Sequence, residues 1–576
     1  MKEFANHIVL CNGANAGSID ENDKPLVLEY HDGCNNKNVT INLNKFTSKV
    51  YHLKDRLKDL LEIAGYVFAA DRKTYRGDKY DLEYHSWSRA FQFHIKVRDL
   101  QFWQRAEVKS LLEEVLLFVT GDHKYEFTFY KGADDFPINI FDNEKFTIER
   151  PEDLKVVLFS GGLDSVAGTV DLLETTKSEL CLVSHQSGQT GVKRTHQTMF
   201  EAIDNEYAKR CKHYKFHCGF DHCDSVDETQ RTRSFLYTAT AFAIAKTYGQ
   251  NCIYVFENGV ISLNFSETQD LMNGRSSRTT HPKTMGLLEN LFSKIGETEF
   301  RIYNPFLFKT KTDVVNVIKN YNKLSMIQKS VSCSATRNHP AKVPHCGVCS
   351  QCIDRRFAIY ASEVEGEEKE EFYAFNFLTD DLEKDDVKKS LNEYIRLAQL
   401  FSSNNINSFF IQKGPELIEI DEYLEGENEE TRMGKVFDLC KRHSVQIEAA
   451  INRMRKLYDS PYHKNRPKSF FSLILGEKEY QKGTETLKEI PSRGLKKLTK
   501  ETCEKLIREK LISDVLIETK TNKIISSMVV KELKRNNYEV TKRNENTISE
   551  YFRKLELQIK KEKEGKLIVM MNSRSK

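Results

Sequence analysis

No run of about 18 apolar residues occurs in this chain, so no segment is long enough to cross a bilayer as a helix. Its first residues, MKEFANHIVLCNGANAG, carry one early lysine and a short apolar stretch but lack an apolar core of signal-peptide length. The expectation is a cytoplasmic protein with no membrane attachment. An excess of charge of either sign is missing too: 87 basic against 84 acidic side chains leave +3. The overall balance therefore points to no particular partner, although a local basic face for nucleic acid stays open. No internal repeat or low-complexity tract stands out, so a repeat architecture is not expected. In a reducing compartment the 13 cysteines are thiols, and their clustering is more informative than their number.

A chain of 576 residues is too long for one hydrophobic core, and length suggests roughly three or four domains. Residues 1–150 read as an N-terminal α+β module: an amphipathic helical stretch (KVYHLKDRLKDLLEIAGYVFAADR), then strand-like RAFQFHIKVRD and YEFTFYKG around the helix-like AEVKSLLEEVLLFVTG. It holds no catalytic constellation. Pro151 and a polar PED segment lead into residues 151–365, where KVVLF, LCLVS, YKFHCGF and CIYVFENG alternate with helix-like segments. That order predicts an α/β fold, a doubly wound parallel sheet whose ligand site lies at the carboxyl ends of the strands. Beyond the acidic EVEGEEKEE, residues 366–485 read as helical. Residues 486–576 form a basic, helical segment, with a helix-turn-helix or winged-helix-like unit as the alternative to a solvated helical face.

The segment LFSGGLDSVAGT sets Ser160, Gly161, Gly162, Asp164 and Ser165 between a buried strand and a helix. Two glycines let backbone approach an anion closely, and a helix start offers free N–H groups and a positive dipole end. Asp164 either fixes the loop or helps hold Mg²⁺. The lysine that ends a Walker A loop is absent, which disfavours enzymes that cleave a γ-phosphate. A glycine turn with a capping aspartate is the plain alternative.

Cys333, Cys346, Cys349 and Cys352 form C-x12-C-G-x-C-x-x-C. Four soft ligands at this spacing suit a closed tetrahedral zinc site with a structural role. An iron–sulfur cluster uses the same ligand set. His339 and His345 lie in the long loop and could replace a ligand. A second run, CKHYKFHCGFDHCD, has metal-binding composition, but His213, Lys215 and His217 alternate with Tyr214, Phe216 and Cys218, as in a strand.

The loop resembles the S-G-G-x-D-S motif of the PP-loop ATP-pyrophosphatase superfamily, matched at every fixed position by Ser160 to Ser165. Together with the cysteines it is similar to one branch, the 7-cyano-7-deazaguanine synthases (QueC). Gly188 and Gln189 resemble that family's G-Q turn, RSFLYTATAFAIA its R-N-x-x-F helix, and PFLFKTKTDVV its P-x-x-x-K-T-K segment. The resemblance covers about residues 155–360, and the flanking modules look like those of QueC-like proteins of bacterial antiphage operons, the Qat and type IV CBASS systems. It implies ATP, Mg²⁺ and structural Zn²⁺ as cofactors. It implies an AMP- and pyrophosphate-forming ligase acting on a deazapurine carboxylate, 7-carboxy-7-deazaguanine, with ammonia or a protein amine as acceptor.

By the same resemblance Asp164, Ser165, Lys309 and Arg233 are catalytic, while Phe159, Ser160, Gly161, Gly162, Leu163, Gly188, Gln189 and Lys311 join Asp164 and Ser165 in holding ATP. The altered segment ENGVISLNFSE puts Glu257, Asn258 and Asn264 either against the acceptor or in a loop cap. A protein acceptor, a defence-operon partner and a homodimer are the partners the resemblance leaves open. A PP-loop enzyme of tRNA modification and an idle nucleotide-binding scaffold are the rival readings.

Overall fold

The computed structural model describes residues 5–17, 24–29, 38–42, 54–75, 88–132, 151–186, 190–220, 231–265, 278–334, 343–382, 385–403, 405–426, 428–458 and 469–470. All of them fall within one compact unit, residues 1–474; the segment 486–576 lies outside the described residues.

Two sheets organise the unit. In the first, β1 (Ala5–Cys11), β2 (Leu26–Leu28), β4 (Arg89–Val97) and β5 (Lys124–Lys131) run parallel in the order β2-β1-β4-β5. Helices α1 (Asp55–Lys73), α2 (Leu100–Trp103) and α3 (Ala106–Thr120) accompany it. Strand β4 alternates buried and half-buried residues along its length, the period-two pattern of RAFQFHIKV made physical.

The second sheet holds β6 (Leu154–Leu158), β7 (Glu179–His185), β8 (Cys211–Phe220), β9 (Cys252–Tyr254) and β10 (Arg301–Tyr303). Its order is β10-β9-β6-β7-β8-β3, and these five strands are parallel. The outer strand, β3 (Val39–Asn42), comes from the N-terminal region and pairs antiparallel with β8. Crossovers run through α4 (Leu163–Thr175), α5 (Thr190–Glu206), α6 (Arg233–Thr247), the short α7 (Gly259–Leu263) and α8 (Pro282–Gly296). Chain direction across the sheet reverses between β6 and β9, and a crevice at such a switch point is where open α/β sheets hold ligands.

Central strands buried on both faces explain the near-continuous apolar runs KVVLF and LCLVS. Leu154, Val156, Cys181 and Val183 join one core, shared with Phe91, Phe127 and Phe242. Val157, Leu180 and Leu182 point into a second, with Leu163, Val166 and Phe306. The first core crosses from the N-terminal sheet into the second. Polar ties cross there as well: buried Asp71 takes hydrogen bonds from the Thr232 amide and hydroxyl at the start of α6 and pairs with buried Arg89 at 2.6 Å.

Helices α9 (Lys311–Asn320), α10 (Ser325–Lys329) and α11 (Ser350–Ala361) complete the α/β body. Among the described residues three more follow: α12 (Asp385–Ser403), α13 (Ile406–Asp421) and α14 (Glu429–Tyr458). Their core of Phe401, Phe409, Leu417, Val436 and Leu439 includes Leu263 and Phe265 from the α7 region. The helical region thus packs beside the end of β9. Among the described residues no helix is long and apolar enough to cross a membrane.

Candidate active site and cysteine knot

Strand β6 ends at Leu158, and the chain turns through Phe159–Gly162 into α4. Gly161 holds φ +71°, a conformation that favours glycine, and a β-carbon there would stand 3.1 Å from the His196 ring. The turn is cross-braced. The Ser160 and Ser165 hydroxyls meet at 3.2 Å, Ser165 donates to the Gly162 carbonyl at 3.0 Å, and the Gly162 amide donates to Ser160 Oγ at 3.2 Å.

His196, on α5, donates from Nε2 to the Ser160 carbonyl at 2.7 Å. Burial holds this imidazole below its ordinary pKa, so it stays neutral. His213 is fixed behind it in the same way: Ser184 gives its proton to the Phe159 carbonyl, so His213 Nε2 donates to Ser184 Oγ at 2.9 Å. Burial, with Lys215 nearby, pushes His213 down to about 3.

Asp164, in the first turn of α4, faces the carboxyl end of β9. Its Oδ1 accepts from the Asn258 amide at 3.2 Å and side chain at 3.3 Å, and its Oδ2 from the buried Lys311 ammonium. Asn258 in turn caps α7 by accepting from the Ile261 amide at 3.2 Å. Asn304, after β10, accepts from the Glu257 amide and donates to its carbonyl at 3.0 Å.

Two further carboxyls crowd this knot. Half-buried Glu257 is pushed up to about 8 by burial and the neighbouring Asp164 charge. Asp354, on α11, is pushed up to about 6 by burial; its Oδ1 accepts from the Tyr394 hydroxyl at 2.7 Å. Burial opposes the charge on Lys311, yet Asp164, Asp354 and Glu257 together hold its ammonium above the usual range. The switch point therefore carries one buried cation among three acids.

The predicted residues separate into groups. Ser160, Gly161, Gly162, Leu163, Asp164, Ser165 and Lys311 come together with Glu257 and Asn258, and Phe159 stands beneath them with its ring edge-on to His213 at 6.0 Å. Lys309 lies over the Phe306 ring at 5.7 Å, and its carbonyl accepts from the Gly259 amide. Exposed Arg233 lies over Tyr237 at 5.7 Å. Among the described residues neither side chain bonds to the loop. Asn264 ends α7 in the left-handed conformation, the loop-cap alternative. Gly188, Gln189 and His339 lie outside the described residues.

The thiols of Cys333, Cys346, Cys349 and Cys352 all lie within 4.8 Å of one another, with Cys333–Cys349 at 4.0 Å and Cys346–Cys352 at 3.9 Å. Zinc–sulfur bonds of about 2.3 Å in a tetrahedron require sulfurs about 3.8 Å apart, so the four fit one zinc. Gly347 makes the turn possible: φ is +81°, and a β-carbon would fall 1.9 Å from the Phe375 carbonyl. Amides of Val348 and Cys349 donate to Cys346 Sγ at 3.5 and 3.4 Å, the outer shell a thiolate needs. Among the described residues His345 is outside this group, stacked on Tyr373, and the His/Cys run on β8 forms no such cluster.

The knot touches the loop. Two residues before Cys333, the Val331 amide donates to the Gly161 carbonyl at 3.0 Å; one residue before it, Ser332 Oγ accepts from the Leu163 amide at 3.2 Å. Sequence reasoning missed Ser332, His196, Asp354 and Tyr394. Only Ser332 had a signal, its place beside a ligand cysteine; the others depend on packing.

Residues 230–362 match the family described as Queuosine biosynthesis protein QueC. This part of the chain is QueC-like. The QueC-like residues include Glu257, Asn258, Lys311 and all four cysteines, while the Ser160–Ser165 loop precedes them. No curated protein matches the chain.

Proposed function

We propose that this chain uses ATP to adenylate a carboxylate, and that the carboxylate is 7-carboxy-7-deazaguanine. The observation that carries the reading is the knot at the switch point: a glycine turn at a helix start whose aspartate is bonded to a buried lysine. The QueC-like segment supports the deazaguanine substrate.

In the first step a carboxylate oxygen attacks the α-phosphorus, the bond to the bridging oxygen breaks, and pyrophosphate leaves. In the second an amine nitrogen attacks the acyl carbon, AMP leaves and the amine loses a proton. Ammonia gives an amide, which a second ATP dehydrates to the nitrile; a protein amine gives a nucleobase–protein conjugate, the outcome that suits antiviral defence. The loop amides and the Ser160 and Ser165 hydroxyls bind the phosphates, and Lys311 neutralises the departing pyrophosphate. Magnesium, when bound, supplies further neutralisation there, and Asp164 is the loop's carboxylate for it. The chain itself needs no nucleophile: positioning and charge carry the rate.

The test is incubation with ATP and 7-carboxy-7-deazaguanine, with mass spectrometry of the small molecules and of co-expressed proteins. AMP, pyrophosphate and a modified base or protein are expected. ADP and orthophosphate as sole products would refute the proposal. Bound ATP that yields no AMP would make the chain a scaffold, and AMP formed only with tRNA would make it a tRNA-modifying enzyme.

A further inference from the structure

We infer that Arg442 and Gln446, on the helical region and outside the QueC-like residues, are positioning residues for Lys311. The inference rests on the ATP reading for its functional half and on geometry alone for its structural half.

Lys311 is the first residue of α9, and its main chain is placed by the cap of that helix. The cap is reciprocal: the Asp313 amide donates to Thr310 Oγ1 at 3.1 Å, and the Thr310 amide donates to Asp313 Oδ2 at 3.0 Å. Such a box satisfies two otherwise unpaired amides at the helix start. Here α14 grips it from outside. Gln446 accepts from the Thr310 hydroxyl and donates to Asp313 Oδ1 at 2.8 Å. Arg442 donates to Asp313 Oδ2 at 2.9 Å and to the Phe308 carbonyl at 2.5 Å.

Residues 442 and 446 are four apart, so they project from one face of α14. Their contacts fall on Phe308, Thr310 and Asp313, on both sides of Lys309 and Lys311. Both oxygens of Asp313 are thereby engaged, one shared by Arg442 and the Thr310 amide and the other bound to Gln446.

The arrangement matters because of what Lys311 must do. It is 2% exposed, and among the described residues its hydrogen-bond partner is Asp164. An ammonium has three donors, so two remain for an anion entering the knot. A buried lysine without a second side-chain anchor depends on its backbone for direction. The clamp on residues 308–313 supplies that anchor from the helical region, which makes residues 429–458 part of the active site rather than an appendage.

Two measurements on Arg442→Ala/Gln446→Ala test this. Both side chains lie at the surface of α14 or are half-buried, so the variant should fold. In the ligand-free protein, hydrogen exchange at the amides of Lys311–Val314 should quicken by about tenfold while α11 stays protected. In the adenylation assay, turnover at saturating ATP should fall by about tenfold, with KM for ATP changed less than about twofold, because a misplaced cation weakens the transition state more than the ground state. Arg442→Lys, which keeps a cation near Asp313, should recover part of the loss.

Unchanged exchange at Lys311–Val314 would overturn the clamp. Quickened exchange with wild-type turnover would overturn the positioning role. If the wild-type protein makes no pyrophosphate with any substrate, the ATP reading falls, and exchange alone then decides the clamp.

Discussion

Stripping the metal from the cysteine knot should weaken nucleotide binding at a loop that contains none of the metal's ligands. The path is short. Cys333 follows Val331 and Ser332, whose hydrogen bonds to Gly161 and Leu163, at 3.0 and 3.2 Å, brace the phosphate turn. Without a metal the four thiols have no common anchor, and the segment that ends at Cys333 is freed at that end. Two hydrogen bonds at about 1 kcal/mol each amount to about 2 kcal/mol of lost preorganisation. Since 1.4 kcal/mol is a factor of ten, affinity should fall about 30-fold.

Ser332→Ala removes one of the two bonds and should cost about fivefold with the metal still bound. The assay is calorimetric titration of a non-hydrolysable ATP analogue into zinc-loaded protein, chelated protein and the serine variant. Circular dichroism of each sample should establish that the sheet persists. Equal affinity of loaded and chelated protein, both folded, would show that the strap does not hold the loop.

Asp164→Asn should abolish AMP formation and also lower stability by about 3 kcal/mol, because it leaves the buried Lys311 ammonium without its hydrogen-bonded carboxylate; urea unfolding would show this, and an unchanged midpoint would contradict it. Glu257 has a carboxyl raised to about 8, so the folded state binds its proton more tightly than the unfolded chain does. Its contribution to stability is present at low pH and is lost as pH rises towards 8. Glu257→Gln should flatten that decline in a thermal-unfolding series; an identical pH dependence would remove Glu257 from it. Arg89→Met should cost about 3–5 kcal/mol, since it strands the buried carboxylates of Asp71 and Asp122. A loss under about 1 kcal/mol in urea unfolding would show that the core around Arg89 relaxes around them.

Much of the site is legible in the sequence, because its chemistry is local in the chain. Ser160 to Ser165 lie within six residues, and a glycine pair between a β-rich run and a helix start has few conformations open to it. The cysteines Cys346, Cys349 and Cys352 are likewise bound by short spacings. Lys309 and Lys311 show the limit of such reading. Both sit in one K-T-K segment, yet Lys311 is buried on Asp164 while Lys309 lies over Phe306. Alternation of side chains around a helix cap separates them, and the motif alone does not say which faces inward.

The amino-acid order alone determined what depends on neighbours a few residues apart: the phosphate turn, the thiol spacing, and the alternation of strand and helix that predicts a parallel sheet. Backbone geometry over such short distances leaves little choice. Contacts between distant segments were decided only when the sheet closed, because a period-two or period-3.6 pattern marks a face as buried without naming what covers it. So β3 from the N-terminal region became an edge of the second sheet, Ser332 came to lie on the loop, Tyr394 reached Asp354, and Arg442 and Gln446 reached the lysine segment. Those meetings depend on the order of strands and on cores shared between regions, which are properties of the packed chain.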